Sequence, residues 1–271
     1  MRMRSVGPLA LVAAMTCGEL AADDIWETSP AFLTDDNATT PNQLIHGALQ
    51  THDIEGLASA APTDQDFSSV RARARHSYEV KVFSTNTCFQ GSTTSCATLD
   101  RVASNGTTVL TPGMEPDGRM ATNSAGWMAV RWTAAADQFD VIRVNGYVNF
   151  PAAAGNQYDI QMLDTTYLVP RWNSSGTQIT VFLVQNGSTS PVTGSIFFYN
   201  AGGTLLHVQP LSLAANGLQV VSTAGIPALA GASGSAAITH DGTYGALAGK
   251  AVSLEPSTGF TFDTLIAPIP Y

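Results

Sequence analysis

Gln178-Ile-Thr-Val-Phe-Leu-Val184, closed by Gln185-Asn-Gly-Ser188, runs on into Val192-Thr-Gly-Ser-Ile-Phe-Phe-Tyr199 and the turn Asn200-Ala-Gly-Gly203. Two short runs rich in β-branched and aromatic residues, each stopped by turn residues, read as paired strands. The same grammar extends in both directions. Toward the C-terminus, residues 204–208, 218–221, 236–239 and 247–254 are strand candidates separated by glycine-rich or Asp-Gly turns. Toward the N-terminus, residues 67–83, 99–110, 127–132, 139–144 and 158–163 repeat it, with Ser104-Asn105-Gly106 as a hairpin signal. No helical period persists for three turns with caps. Turn signals every eight to twelve residues without helices predict an all-β chain of two consecutive antiparallel β-sandwiches, jelly-roll or Ig-like.

The charge distribution divides the chain. Residues 45–163 hold eight bases and eleven acids, whereas residues 164–271 hold two bases and four acids. The expected organisation is a signal peptide at 1–22, an acidic lead-in at 23–44, a first sandwich at 45–163 and a second at 164–271. With 44% apolar residues in a chain of 271, two ordinary cores can form. Charged residues are only 12%, about half the usual share, so small neutral polar residues supply the surface. A net charge of −9 argues against nucleic acid, which needs a clustered basic face. The one basic run, Arg71, Arg73 and Arg75, alternates with alanines. On a strand it forms one solvated face that discourages edge pairing.

The first residues read as an export signal. Arg2 and Arg4 precede a mostly apolar run over residues 6–15, and small residues follow around Cys17 and Ala21-Ala22. Cys17 as a lipid attachment site is the alternative, although Ala14-Met15-Thr16 matches such a signal poorly. No stretch is long and apolar enough for a membrane-spanning helix. The expected location is therefore extracellular, cell-surface or periplasmic. Cys88 and Cys96 flank a polar loop without a neighbouring histidine. In an oxidising compartment a disulfide between them is expected, worth about 2–3 kcal/mol in the chain-entropy account.

Thr63-Asp-Gln-Asp-Phe67, Tyr78-Glu-Val-Lys-Val82, Leu99-Asp100, Asn105-Gly-Thr-Thr-Val-Leu110, Val130-Arg-Trp-Thr-Ala-Ala135, Phe139-Asp-Val-Ile-Arg-Val144 and Tyr158-Asp-Ile160 follow one another in order. In this order the first module resembles the bacterial pre-peptidase C-terminal domain family over about 115 residues. The resemblance implies a non-catalytic β-sandwich attached to secreted bacterial proteins, often proteases. The Cys88–Cys96 loop departs from the family pattern, as does a signal region leading almost directly into the sandwich. Tyr167-Leu-Val-Pro-Arg-Trp-Asn173, His240-Asp-Gly242 and Lys250-Ala-Val-Ser-Leu-Glu-Pro-Ser-Thr-Gly-Phe260 are similar to a C-terminal β domain of unassigned function in secreted bacterial proteins.

Some members of the first family bind calcium near an acidic strand entry. Here the corresponding oxygen ligands would be Asp64 and Asp66 with Asp35, Asp36 and Asn37, against the alternative that Asp64 caps a turn and Asp66 is solvated. His46 and His52, with Asp53 and Glu55, have a spacing that matches neither a helical pair nor a zinc site, and read as loop or surface histidines. His240-Asp241-Gly242 reads as a turn. Gly231-Ala-Ser-Gly-Ser lacks the spacing of a nucleophile elbow, and no zinc-protease, phosphate-loop or dinucleotide motif occurs. Trp127, Trp132, Tyr147, Phe150 and Trp172 are candidates for a carbohydrate platform, with Trp132 more at home in the core. The reading is a secreted, non-catalytic binding or structural accessory protein with no cofactor besides a candidate calcium ion. Its partner would be a protein or polysaccharide, met through the first sandwich. An extracellular hydrolase- or protease-associated factor is the alternative.

Overall fold

The computed structural model describes residues 38–40, 42–53, 65–84, 98–113, 127–145 and 157–270. The expected signal peptide, all three cysteines with the Cys88–Cys96 disulfide, and Asp35, Asp36, Asn37 and Asp64 lie outside the described residues. So do Glu55, Tyr147 and Phe150.

Eight strands form the first half: β1 (Leu49–Asp53), β2 (Gln65–Ala72), β3 (Ser77–Ser84), β4 (Thr98–Val102), β5 (Val109–Pro112), β6 (Trp127–Thr133), β7 (Gln138–Asn145) and β8 (Gln157–Asp164). β1 pairs with β8, β2 with β7, β3 with β6 and β4 with β5, all antiparallel, as in one long hairpin rolled up on itself. The β3–β8 and β4–β7 pairings close the roll into two sheets, ordered β1-β8-β3-β6 and β2-β7-β4-β5. This wrapping is a jelly roll. Period-two alternation fills it: Tyr78, Val80 and Val82 from β3 meet Ile142 and Val144 from β7 and Tyr158, Ile160 and Met162 from β8 in one core.

The second half contains β9 (Tyr167–Ser174), β10 (Ile179–Asn186), β11 (Val192–Asn200), β12 (Leu205–Leu213), β13 (Leu218–Ser222), β14 (Ala232–His240), β15 (Leu247–Glu255), β16 (Phe260–Leu265) and β17 (Ala267–Pro268). β11–β12, β10–β13 and β9–β14 again nest, and β15 adds to β10, giving sheets β12-β11-β14-β9-β17 and β13-β10-β15-β16. Their inner faces share a core centred on Trp172, Phe182 and Phe198, all fully buried. Among the described residues no strand before β9 pairs with one after β8, and the two large apolar clusters share no residue.

Local details differ from expectation where a backbone turn intervenes. The basic run is not one strand face, because β2 ends at Ala72 and Arg75 sits in a left-handed turn at φ 61°. There the Arg73 and Ala74 amides donate to the Tyr78 hydroxyl and the Asp137 carboxylate, which fixes the turn instead of extending the ladder. The Ser104-Asn105-Gly106 hairpin forms as expected, with Asn105 Oδ1 accepting from the Thr107 and Thr108 amides.

Candidate functional site

On β3 the alternation that turns Tyr78, Val80 and Val82 inward turns Glu79 outward, where a carboxylate belongs in water. Yet Glu79 is fully buried, because the β14–β15 turn of the second sandwich lies over it. Its Oε1 accepts from Arg131 Nε at 2.7 Å, and Arg131 Nη2 makes an ion-pair contact of 2.7 Å outside hydrogen-bond geometry. Lys81 Nζ approaches Oε2 at 3.1 Å, and the Tyr244 amide donates to the same oxygen at 2.9 Å. A charge this deeply buried persists only when paired and hydrogen-bonded, and here one bond crosses between the sandwiches.

The rest of the junction is equally polar. Ser77 donates its amide to Thr166 Oγ1 and its hydroxyl oxygen accepts from Thr165. His76 Nδ1 lies 2.8 Å from Asp164 Oδ2. His46 Nδ1 accepts from the Asp164 amide while Nε2 reaches the Ile269 carbonyl, so this residue ties the first strands to the C-terminal segment. His240 is buried, with Nδ1 accepting from the Gly242 amide. Its Nε2 lies near the Thr165 backbone without a partner of hydrogen-bond geometry. Burial pushes this imidazole down to about 4. Asp241 and Glu79 oppose the shift and Arg131 adds to it.

That shift makes a pH prediction. An unfolded histidine takes up its proton near pH 6.5, but folded His240 does so only near 4. Between those values the unfolded chain binds more protons, so stability is lost as pH falls through this window. The full effect is about 3 kcal/mol. In urea denaturation at pH 7 and pH 4.5, His240→Asn is expected to show a smaller loss than the unaltered chain. Equal losses would remove His240 as the cause.

Beside this junction opens a cleft of about 610 Å³, lined by Arg131, Ser188, Thr189, Ser190, Asp241 and Thr243 among others. It gathers hydroxyls and main chain rather than reactive groups. Arg131 is engaged by Glu79, and Asp241, its one lining carboxylate, accepts from both the amide and the hydroxyl of Thr193. Acid–base or nucleophilic work needs a titratable group left available to a substrate. Here Asp241, solvent-exposed, is the cleft's one carboxylate.

The sites expected from sequence fare differently. Asp66 is buried rather than solvated, and its Oδ2 accepts from the Tyr158 hydroxyl at 2.6 Å. The other candidate calcium ligands lie outside the described residues, and the described residues hold no group of three metal-binding side chains. His52 is not a surface histidine. It is buried, stacked on Tyr158 with ring centroids 5.4 Å apart, and paired with Gln50. Trp132 and Trp172 are core residues, not a sugar platform: the first donates to Asp140, the second to the Tyr199 and Ser235 carbonyls. His240-Asp241-Gly242 does lie at the start of a turn, as expected.

One surface was not anticipated. Along β10, Thr180, Phe182 and Val184 point inward, and Ile179, Val181 and Leu183 point to the outer face. Register places Leu183 between Val220 of β13 and Lys250 of β15, and Val181 opposite Val252. Ile179 opposes Leu254, and Leu265 of β16 follows Lys250 in its row. Leu218 and Val220 are each 57% exposed and Leu265 76%. The signal was present in Ile179-Thr-Val-Phe-Leu-Val184. A run apolar at both parities, in a sandwich only two sheets thick, must show one of its faces to the outside.

No family model matches this chain, and no curated protein matches it. Among solved structures, it aligns with β-glucuronidase 2 of Bacteroides uniformis, covalently bound to cyclophellitol-6-carboxylate aziridine, at 11% identity and a TM-score of 0.21. That alignment covers 81% of this chain and 32% of the enzyme. A β-glucuronidase from glycoside hydrolase family 2 aligns at 12% identity and a TM-score of 0.20, over 86% of this chain and 26% of that one. This chain thus spans a third or less of either enzyme's length, and similarity this low carries no argument. Among the described residues no helix is long and apolar enough to cross a membrane.

Proposed function

We propose that this chain is an exported, non-catalytic accessory protein that recognises a protein partner through the outer face of the β13-β10-β15-β16 sheet. The carrying observation is that face itself: Ile179, Val181, Leu183, Leu218, Val220, Val252, Leu254 and Leu265 form a largely apolar strand surface, broken by the Lys250–Asp263 ion pair and by Gln185, Ser222 and Thr261. Apolar patches of this kind mark interaction sites, and an aliphatic composition suits a protein partner better than a sugar, which is met by stacked aromatic rings. The cleft's single carboxylate, Asp241, with Arg131 already paired to Glu79, supports a non-catalytic reading. The basic and apolar start of the sequence supports export, and the ordered strand motifs support kinship with pre-peptidase C-terminal domains.

The test compares proteins captured from native culture medium by the unaltered chain and by the double variant Leu218→Lys, Val220→Lys. Both residues are solvent-facing, so the fold should survive the change. A partner captured by the first and lost by the second is the expected result. A partner retained equally by both would place recognition elsewhere.

A further inference from the structure

The second sandwich has four sheet edges, and those of β12 and β17 carry something that blocks pairing. β12 carries Pro210, which has no amide to donate, and β17 is two residues long and ends in Pro268. The β12 edge is closed further by Gln219 of β13, whose side chain accepts from the Ser212 amide and donates to the Pro210 carbonyl. β16 has no such device. It is the last strand of its sheet, and every residue of Phe-Thr-Phe-Asp-Thr-Leu except Thr264 is exposed. Phe260 and Phe262 project from one face and Leu265 from the other, at 67%, 53% and 76% exposure. Its one charge, Asp263, is neutralised by Lys250 Nζ at 2.7 Å on the neighbouring strand.

We propose that β16 pairs antiparallel with β16 of a second copy about a two-fold axis at Phe262, joining the two sheets into one. An unblocked, locally neutral edge of apolar residues is a template for another strand, and an isologous dimer places the same strand on both sides. The register follows from the side chains. With Phe262 facing Phe262 of the partner subunit, Thr261 lies opposite Asp263 of the partner subunit, a hydroxyl donor beside a carboxylate. A two-fold at Asp263 would instead set two carboxylates face to face, which is unfavourable. The net charge of −9 on each copy opposes association at long range, so added salt should strengthen the dimer. This inference is testable apart from the reading of the outer face, since Leu218 and Val220 lie on β13, at the opposite edge of the sheet from β16, and of the apolar residues Leu265 alone belongs to both.

Sedimentation of the full chain over a concentration series, at low and high salt, is the first measurement. Monomer–dimer exchange that strengthens with salt is expected. Phe262→Lys and Phe262→Glu should each remain monomeric, because like charges then meet on the axis, and an equimolar mixture of the two should regain the dimer. Leu218→Lys with Val220→Lys should dimerise as the unaltered chain does. An unaltered chain that stays monomeric throughout would overturn the proposal, whatever the variants do. So would folded Phe262 variants that still self-associate, or that fail to associate when mixed.

Discussion

Glu79→Ala is expected to destabilise the chain by about 3–5 kcal/mol, the cost of stranding buried cations when one partner of a buried ion pair is removed. An outward-facing glutamate on an ordinary strand would cost a few tenths of that. The difference arises because Glu79 is fully buried and satisfies Arg131, Lys81 and the Tyr244 amide together. Glu79→Gln keeps an acceptor for the amide while leaving the cations unbalanced, so it should fall between the two. The effect should also be spatially specific. Hydrogen exchange at Tyr244, whose amide proton is held across the junction, should accelerate in Glu79→Ala beyond the change in amides of the β10–β13 ladder. Urea denaturation with site-resolved exchange checks both parts, and a loss below about 1 kcal/mol would mean that water reaches Glu79.

Trp172→Ala is expected to cost about 3–5 kcal/mol and to spend it on one sandwich only. The indole is fully buried, meets Phe198 edge-on at 5.6 Å, and donates to two carbonyls from different strands. Alanine leaves a cavity and strips two acceptors of their donor. Trp172 contributes to a cluster that shares no residue with the core of the first sandwich. The second sandwich should therefore melt early in this variant, with the β3–β8 amides still protected. Coincident loss of protection in both halves would show that the junction makes them one cooperative unit.

Strand content and sandwich class were legible because period two survives in short runs such as Tyr78-Glu-Val-Lys-Val82, and because Asn-Gly and glycine-rich turns punctuate them. The jelly-roll wrapping was less so. Which strand pairs with which depends on contacts between distant residues, such as Thr51 with Asp159, that no local pattern encodes. β16 escaped notice because Phe-Thr-Phe-Asp-Thr-Leu is exposed at nearly every position and offers no buried stripe. Burial of polar side chains is not legible in the strand pattern for one physical reason: sequence reports which face a residue occupies, not what later covers that face. Glu79 points outward and is covered by the second sandwich, and His52 was expected at the surface but stacks beneath Tyr158. The outer apolar face was readable in Ile179-Thr-Val-Phe-Leu-Val184, once the thickness of the sandwich is counted.

A photo-crosslinking side chain placed at position 220, on the outer face, and separately at position 189, in the cleft, tests the location of recognition most directly. Each protein is incubated in native culture medium and irradiated. A discrete protein adduct from position 220, absent from position 189 and suppressed by excess unaltered chain, is the predicted result. An adduct from position 189 without one from position 220 would contradict the account and move recognition to the cleft between the sandwiches.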